Sequence, residues 1–461
     1  MTPRGRPLSP AEREFFAAFF RQLSAAGVAA VLLRNYADFP DAIGHDLDVF
    51  FRRADLRAAV TVFQEALSQS GGEVLHVHQR DYVLAVWFRV RRDAPQSIHL
   101  DFYHGALTWH GLPYLSDEAL LAGARPFKQF QAPRPAHEAL NLFLTSLLWG
   151  SFFKARYGET IRALLEPAGE REEFDRILAR EFGAAGRPPF DFTSAAPPSA
   201  EAQRRYARRL RRAFRRRSLT RRPAVSLFRL ARFWAREFST VFAPPGLFIA
   251  VMGPDGAGKS TVLAGMKDRL GDYFGETVEG HWRPALLPDV GVLLGARTHA
   301  SGPVTDPHGR PPHAALSSAT RLFYYWLDYW LGWPRRIWKR KAKNHLVLFD
   351  RYVHDLWCDP RRYRLGLSPR AMRWLCRLTP QPDLTFVLVA APEVIQRRKR
   401  EVPLETLRES LARYESVPVF CRGAHRVDCT PHAEVVVDQI CGRVLESLRR
   451  KASPQLRRLA R

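Results

Sequence analysis

The alternation of apolar and polar positions changes character along the chain. Up to about residue 135, helix-like and strand-like stretches alternate. Ser9 and Pro10 open an amphipathic run, Ser9 as a cap and Pro10 at the first helical position. Four runs rich in β-branched and aromatic residues have strand length: Val28–Arg34, Asp46–Arg52, Tyr82–Val90 and Ser97–Tyr103. From about 136 to 243 the pattern is mostly helical. Leu140 to Phe153 is the longest apolar run. It is too short to cross a bilayer and carries Asn141, Thr145 and Ser146, so it predicts a buried helix.

The stretch Gly183–Ala200, rich in Pro, Gly and Ala, predicts a loop. After it comes a long helix bearing Arg204, Arg205, Arg208, Arg209, Arg211, Arg212, Arg215, Arg216 and Arg217. Ala243-Pro-Pro-Gly246 then punctuates the chain. Beyond it, strand candidates Leu247–Gly253, Glu276–Trp282, His345–Arg351, Leu384–Ala390 and His425–Cys429 alternate with helices. Several are nearly continuous apolar runs, as strands covered on both faces require, which predicts a parallel α/β sheet with flanking helices. The pattern divides the chain into an α+β domain (1–135), a helical, arginine-rich linker (136–243), an α/β domain (244–450) and a basic tail (451–461).

Composition refines this picture. A chain of 461 residues is too long for one core, and 46% hydrophobic with 12% aromatic residues is not a disordered composition. The net charge of +25 favours anionic partners. The basic residues do not interleave with a recognisable DNA- or RNA-binding motif, so nucleic acid is not the expected partner. The five cysteines (Cys358, Cys376, Cys421, Cys429 and Cys441) form no CxxC pair and suit a reducing cytoplasm. The polar start MTPRGRPLSPAERE gives no apolar signal region.

The sharpest chemical signal is Gly253-Pro-Asp255-Gly256-Ala-Gly258-Lys259-Ser260-Thr261, which fills GxxxxGK[ST] between an apolar strand and an Ala/Leu-rich helix. Phosphate needs close approach of backbone amides, which glycine permits, and the helix N-terminus adds partial positive charge. Lys259 is expected at the β- and γ-phosphates of ATP, and the Ser260 hydroxyl at Mg2+.

With this loop, Asp350-Arg351-Tyr352 after an apolar strand, and Gln396-Arg397-Arg398-Lys399-Arg400-Glu401 in the position of a lid, the region from about 246 to 450 resembles the thymidylate kinases. The resemblance implies that Asp255 contacts the acceptor's sugar, Arg351 grips its phosphate and Asp350 sits near Mg2+. It also implies that Arg397 and Arg398 neutralise charge during phosphoryl transfer. The thymine-reading segment of that family is absent. In its place stand Gly280-His281-Trp282-Arg283-Pro284, an insertion containing Val304–His308, and the aromatic run RLFYYWLDYWLGW. His281 and Arg283 are the acceptor candidates, with Arg361 and Arg362 behind them; most of the aromatics are expected to pack rather than to stack on a ligand. The chain is also similar to bacterial thymidylate-kinase-like proteins that share the HxRP segment and the Asp359-Pro-Arg-Arg-Tyr-Arg364 run, often linked with surface-polysaccharide genes. The implied acceptor is a small phosphate-bearing molecule, a nucleotide or a phosphorylated sugar.

A second candidate lies in Gly44-His45-Asp46-Leu-Asp48. Residues two apart on a strand share a face, so Asp46 and Asp48 converge, and Asp101 lies on another strand-like run. Three such carboxylates suit a second Mg2+. The first 135 residues resemble the nucleotidyltransferase superfamily, with Leu33-Arg34-Asn35-Tyr36 where that family has a Gly-Ser turn. Nucleotidyl transfer, a binding domain without catalysis, and plain solvated acids all remain open readings. Arg204 to Arg236 is read either as an interdomain helix with solvated charge or as a segment lying on an anionic membrane. Three functions follow: an ATP-dependent kinase, a bifunctional nucleotidyltransferase and kinase, or an ATP-binding switch at a membrane assembly.

Overall fold

The computed structural model describes residues 5–94, 96–189, 191, 198–288, 314–366, 368–399 and 402–460. Val304–His308, Arg400, Glu401 and much of the predicted loop before Ala200 lie outside them. The chain forms two compact units, one of residues 1–238 with 448–461 and one of residues 239–447.

The first unit is built on a five-stranded mixed sheet. In chain order its strands are β1 (Val31–Leu32), β2 (Leu47–Phe51), β3 (Glu73–Gln79), β4 (Val83–Arg89) and β5 (Ile98–His104). They lie in the order β1-β2-β5-β4-β3. Only β2 and β5 run parallel, and their register sets Asp48 opposite Asp101. Helix α1 (Pro10–Ala25) starts as expected, with Ser9 and Glu12 forming a reciprocal capping box. Phe15, Phe16 and Phe19 of α1 and Phe63 of α2 (Leu56–Gln69) pack with Val49, Phe51 and Phe102 on one sheet face. The period of two turns Asp48 and Asp101 to the other.

The helical segment is not a linker. Helix α3 (Pro135–Leu148) is buried along nearly its whole length. With α4 (Glu170–Phe182) and α5 (Ala200–Arg221) it encloses a core that includes Val31, Leu33 and Phe50 of the sheet. The predicted basic tail is also corrected. The last helix runs from Ala433 to Ala460, and its buried Ala452 and Leu456 join the core of the first unit. Its arginines had masked a helical apolar spacing of four.

The second unit carries a five-stranded parallel sheet: β6 (Leu247–Met252), β7 (Thr277–His281), β8 (Leu346–Asp350), β9 (Leu384–Val389) and β10 (Ala424–Asp428). The order is β7-β8-β6-β9-β10, which puts β6 at the centre. Every residue of β6 and of β9 is buried, as the unbroken apolar runs predicted. In such sheets ligands bind beyond the carboxyl ends of the strands, where the order reverses. The glycine loop leaves β6 at that edge, and Asp350 ends the neighbouring β8.

Candidate phosphoryl-transfer site

The turn after β6 depends on glycine. Gly253 has φ +146°, and a Cβ there would sit 2.7 Å from the Leu388 carbonyl oxygen. Gly258 has φ +86° and caps α7 (Lys259–Leu270) in the left-handed conformation. Lys259 is buried, and its Nζ donates to the carbonyls of Gly253 (3.0 Å) and Pro254 (2.9 Å), 3.5 Å from Asp255. Burial, and Arg351 after it, push its ammonium down to about 8 against the pull of Asp255, Asp350 and Asp355. Ser260 and Thr261 are exposed in the first turn of α7.

Asp255 is the hub of the site. Its carboxylate accepts from Arg351 Nη2 (2.5 Å) and Arg362 Nη1 (2.5 Å). Burial would raise its pKa, but Arg351, Lys259 and Arg362 outweigh that and hold it well below the usual carboxylate range. Arg351 is almost wholly buried with φ +70°, and its other arm donates to both oxygens of Asp355 (2.9 Å each) and to Tyr414 (3.1 Å). Tyr363 donates to the same Asp355 (2.7 Å). Pro254, Asp255, Arg351, Arg362, Lys399 and Ser410 are among the residues lining the adjoining pocket.

The register of β7 against β8 places His281 beside Asp350, their Nδ1 and Oδ2 3.6 Å apart. Asp350 is held below its ordinary value: burial raises it, while His281, Lys259 and Arg351 lower it further. Its Oδ1 is buried without a hydrogen-bond partner. An anionic oxygen in that state is the hard donor that Mg2+ prefers, so the residues present fit the ion.

Two of the candidate residues are not brought to the loop. Arg283 is not presented to an acceptor. It is buried, and Nη1 donates to Asp328 (3.1 Å) and to the Leu287 carbonyl (2.9 Å). Asp328 also accepts from the backbone N–H groups of Ala285 and Leu287 (2.9 and 2.6 Å), so the pair folds the segment after β7. Arg398 turns from the loop to the carbonyls of Cys429 (2.9 Å) and Thr430 (3.2 Å). Arg397 lies exposed at the end of its helix, α9 (Pro392–Arg398). Arg362, ranked low from sequence, is the residue brought to the hub; its signal was the Asp359-Pro-Arg-Arg turn. The aromatic helix α8 (Ala315–Gly332) divides its rings. Tyr325 and Tyr329 are buried, whereas Phe323 and Trp330 face solvent.

In the first unit, Asp46, Asp48 and Asp101 offer ligand atoms within 4.8 Å of one another. Asp48 Oδ1 is buried and unpartnered, and its Oδ2 is ion-paired with Arg34, which also reaches Tyr103 (3.3 Å). Burial, with Asp46 and Asp101, pushes Asp48 up to about 7 against Arg34. Asp101 accepts from His99 (2.9 Å) and stays below its usual value, since His99 offsets burial. The orphaned oxygen fits a divalent cation, with Arg34 supplying part of the compensating charge meanwhile.

A parallel sheet, a glycine loop closing on a buried lysine and an acidic strand end make the second unit a kinase-like P-loop module. No family model matches the chain. It is similar to a probable thymidylate kinase of Pyrobaculum aerophilum, 28% identical over 33% of this chain and 70% of the relative. A probable thymidylate kinase of Pyrobaculum calidifontis is 29% identical over 44% of this chain and all of the relative. The thymidylate kinase of Malacoplasma penetrans is 25% identical over 44% of this chain and 98% of its own length.

Proposed function

We propose that the second unit is an ATP- and Mg2+-dependent phosphotransferase whose acceptor is a small molecule already bearing a phosphate, a nucleotide or a phosphorylated sugar. The observation that carries this reading is the clasp of Arg351 and Arg362 on Asp255 beside Lys259. Three cations gathered on one carboxylate form a place for two anions, the donor's terminal phosphates and the acceptor's. In the reaction, the bond between the γ-phosphorus and the β–γ bridging oxygen breaks. A new bond forms from an acceptor phosphate oxygen, and ADP leaves. Lys259 and the loop amides stabilise the spreading charge, Asp350 and Ser260 hold Mg2+, which neutralises phosphate charge when bound, and Asp255 orients the acceptor. Lys259→Ala should abolish ADP release; turnover surviving that change would exclude the assignment.

A second reading has its own observation: Asp48 stands opposite Asp101 with an oxygen unpartnered. A divalent cation held by Asp46, Asp48 and Asp101 would give the first unit nucleotidyl-transfer chemistry. Asp46→Asn with Asp48→Asn should then remove a nucleotidyl transfer from the intact chain while leaving kinase turnover. Loss of neither activity would reject it.

A further inference from the structure

Within the first unit, residues 223–238 form most of a helix that shows a broad apolar face to solvent. In α6 (Pro223–Phe242), the side turned to the protein includes buried Ser226 and Phe233 and half-buried Arg229 and Arg236. Phe233 stacks on His110 at 5.1 Å between ring centroids. On the outer side, Leu227, Phe228, Ala231, Trp234, Ala235 and Phe238 recur at helical spacing, all exposed and with no charge among them, although one edge of Trp234 rests on His110 at 5.5 Å between ring centroids. Leu227 is 58% exposed, Phe228 67% and Trp234 55%. A soluble surface normally breaks such a patch with charged residues, so a continuous one marks an interaction face.

Charge decides what covers it. Residues 200–238 contain fourteen arginines and two glutamates. On α5, which precedes this helix, Arg208, Arg211, Arg212, Arg215 and Arg216 line a groove with Trp109, and the Arg215 guanidinium lies 5.3 Å from the Trp109 ring centre. A second copy of the chain would bring the same cationic segment against itself, because a two-fold interface uses one patch twice. An anionic bilayer supplies both complements, acyl carbon for the aromatic stripe and headgroup phosphates for the arginines. Among the described residues no helix is long and apolar enough to cross a membrane, so the helix would lie in the interface plane.

We infer that α6, with the arginines of α5, docks the protein on an anionic lipid surface. The test floats the full chain with vesicles of phosphatidylcholine alone and with vesicles containing phosphatidylglycerol. The wild-type protein floats with the anionic vesicles, less so as salt rises, and stays behind with the neutral ones. The variant Leu227→Gln, Phe228→Gln loses at least about tenfold in binding, while its melting temperature, read as a folding control, stays close to that of the wild type because both side chains are more than half exposed. Equal flotation of variant and wild type would overturn the inference, as would failure of the wild type to float. Sedimentation showing a dimer that the variant dissolves would also overturn it and give the face to a second copy.

Discussion

At the scale of single residues, the site is a balance around Lys259 that an incoming nucleotide must change. In the free protein burial and Arg351 push the ammonium down to about 8. A bound phosphate favours the charged form, so the pKa in the complex is higher. Between those two values the free protein has partly lost a proton that the complex holds. Binding therefore takes one up, and ATP affinity falls as pH rises through about 8. Calorimetry just above that pH, in buffers of different ionisation enthalpy, should show proton uptake. It should vanish in Lys259→Arg, whose guanidinium is always charged. Uptake unchanged by that substitution would assign the proton elsewhere. The loop was legible in the sequence because glycine, lysine and serine are each required at one place. The roles of Arg283 and Arg362 were not legible, because an arginine's partner is set by tertiary contacts. Asp328 lies 45 positions from Arg283, and Asp255 lies 107 from Arg362.

At the scale of elements, the three inner parallel strands β6, β8 and β9 were legible because strands covered on both faces are apolar almost without interruption, whereas the edge strands β7 and β10 are mostly polar and half-exposed. Strand β3 was not, since Glu73, His76, His78 and Gln79 break its apolar run. Burial of His76 and His78 comes from tertiary packing. The segment after β7, where the sequence lacks the thymine-reading pattern of the family it resembles, is pinned by Asp328 through three hydrogen bonds. Asp328→Ala would take the carboxylate away from a buried guanidinium and from two backbone N–H groups. It should cost about 3–5 kcal/mol in a denaturant titration. A loss below about 1 kcal/mol would mean that the segment closes without the pair.

At the scale of the whole molecule, composition suggested four segments and compactness shows two units. The arginine-rich stretch looked like a linker because its outward residues dominate the count. Its inward residues, Tyr206, Leu210 and Phe214, are buried in the first unit's core. The central claim is that the second unit transfers phosphate to a phosphate-bearing acceptor. The measurement that tests it most directly is ADP release from Mg-ATP by the full chain, across dTMP, other nucleoside monophosphates, sugar phosphates and polysaccharide precursors. The account predicts release that depends on one class of these acceptors and disappears in Lys259→Ala. Tight ATP binding with no acceptor-dependent release would contradict it and leave the ATP site as a switch.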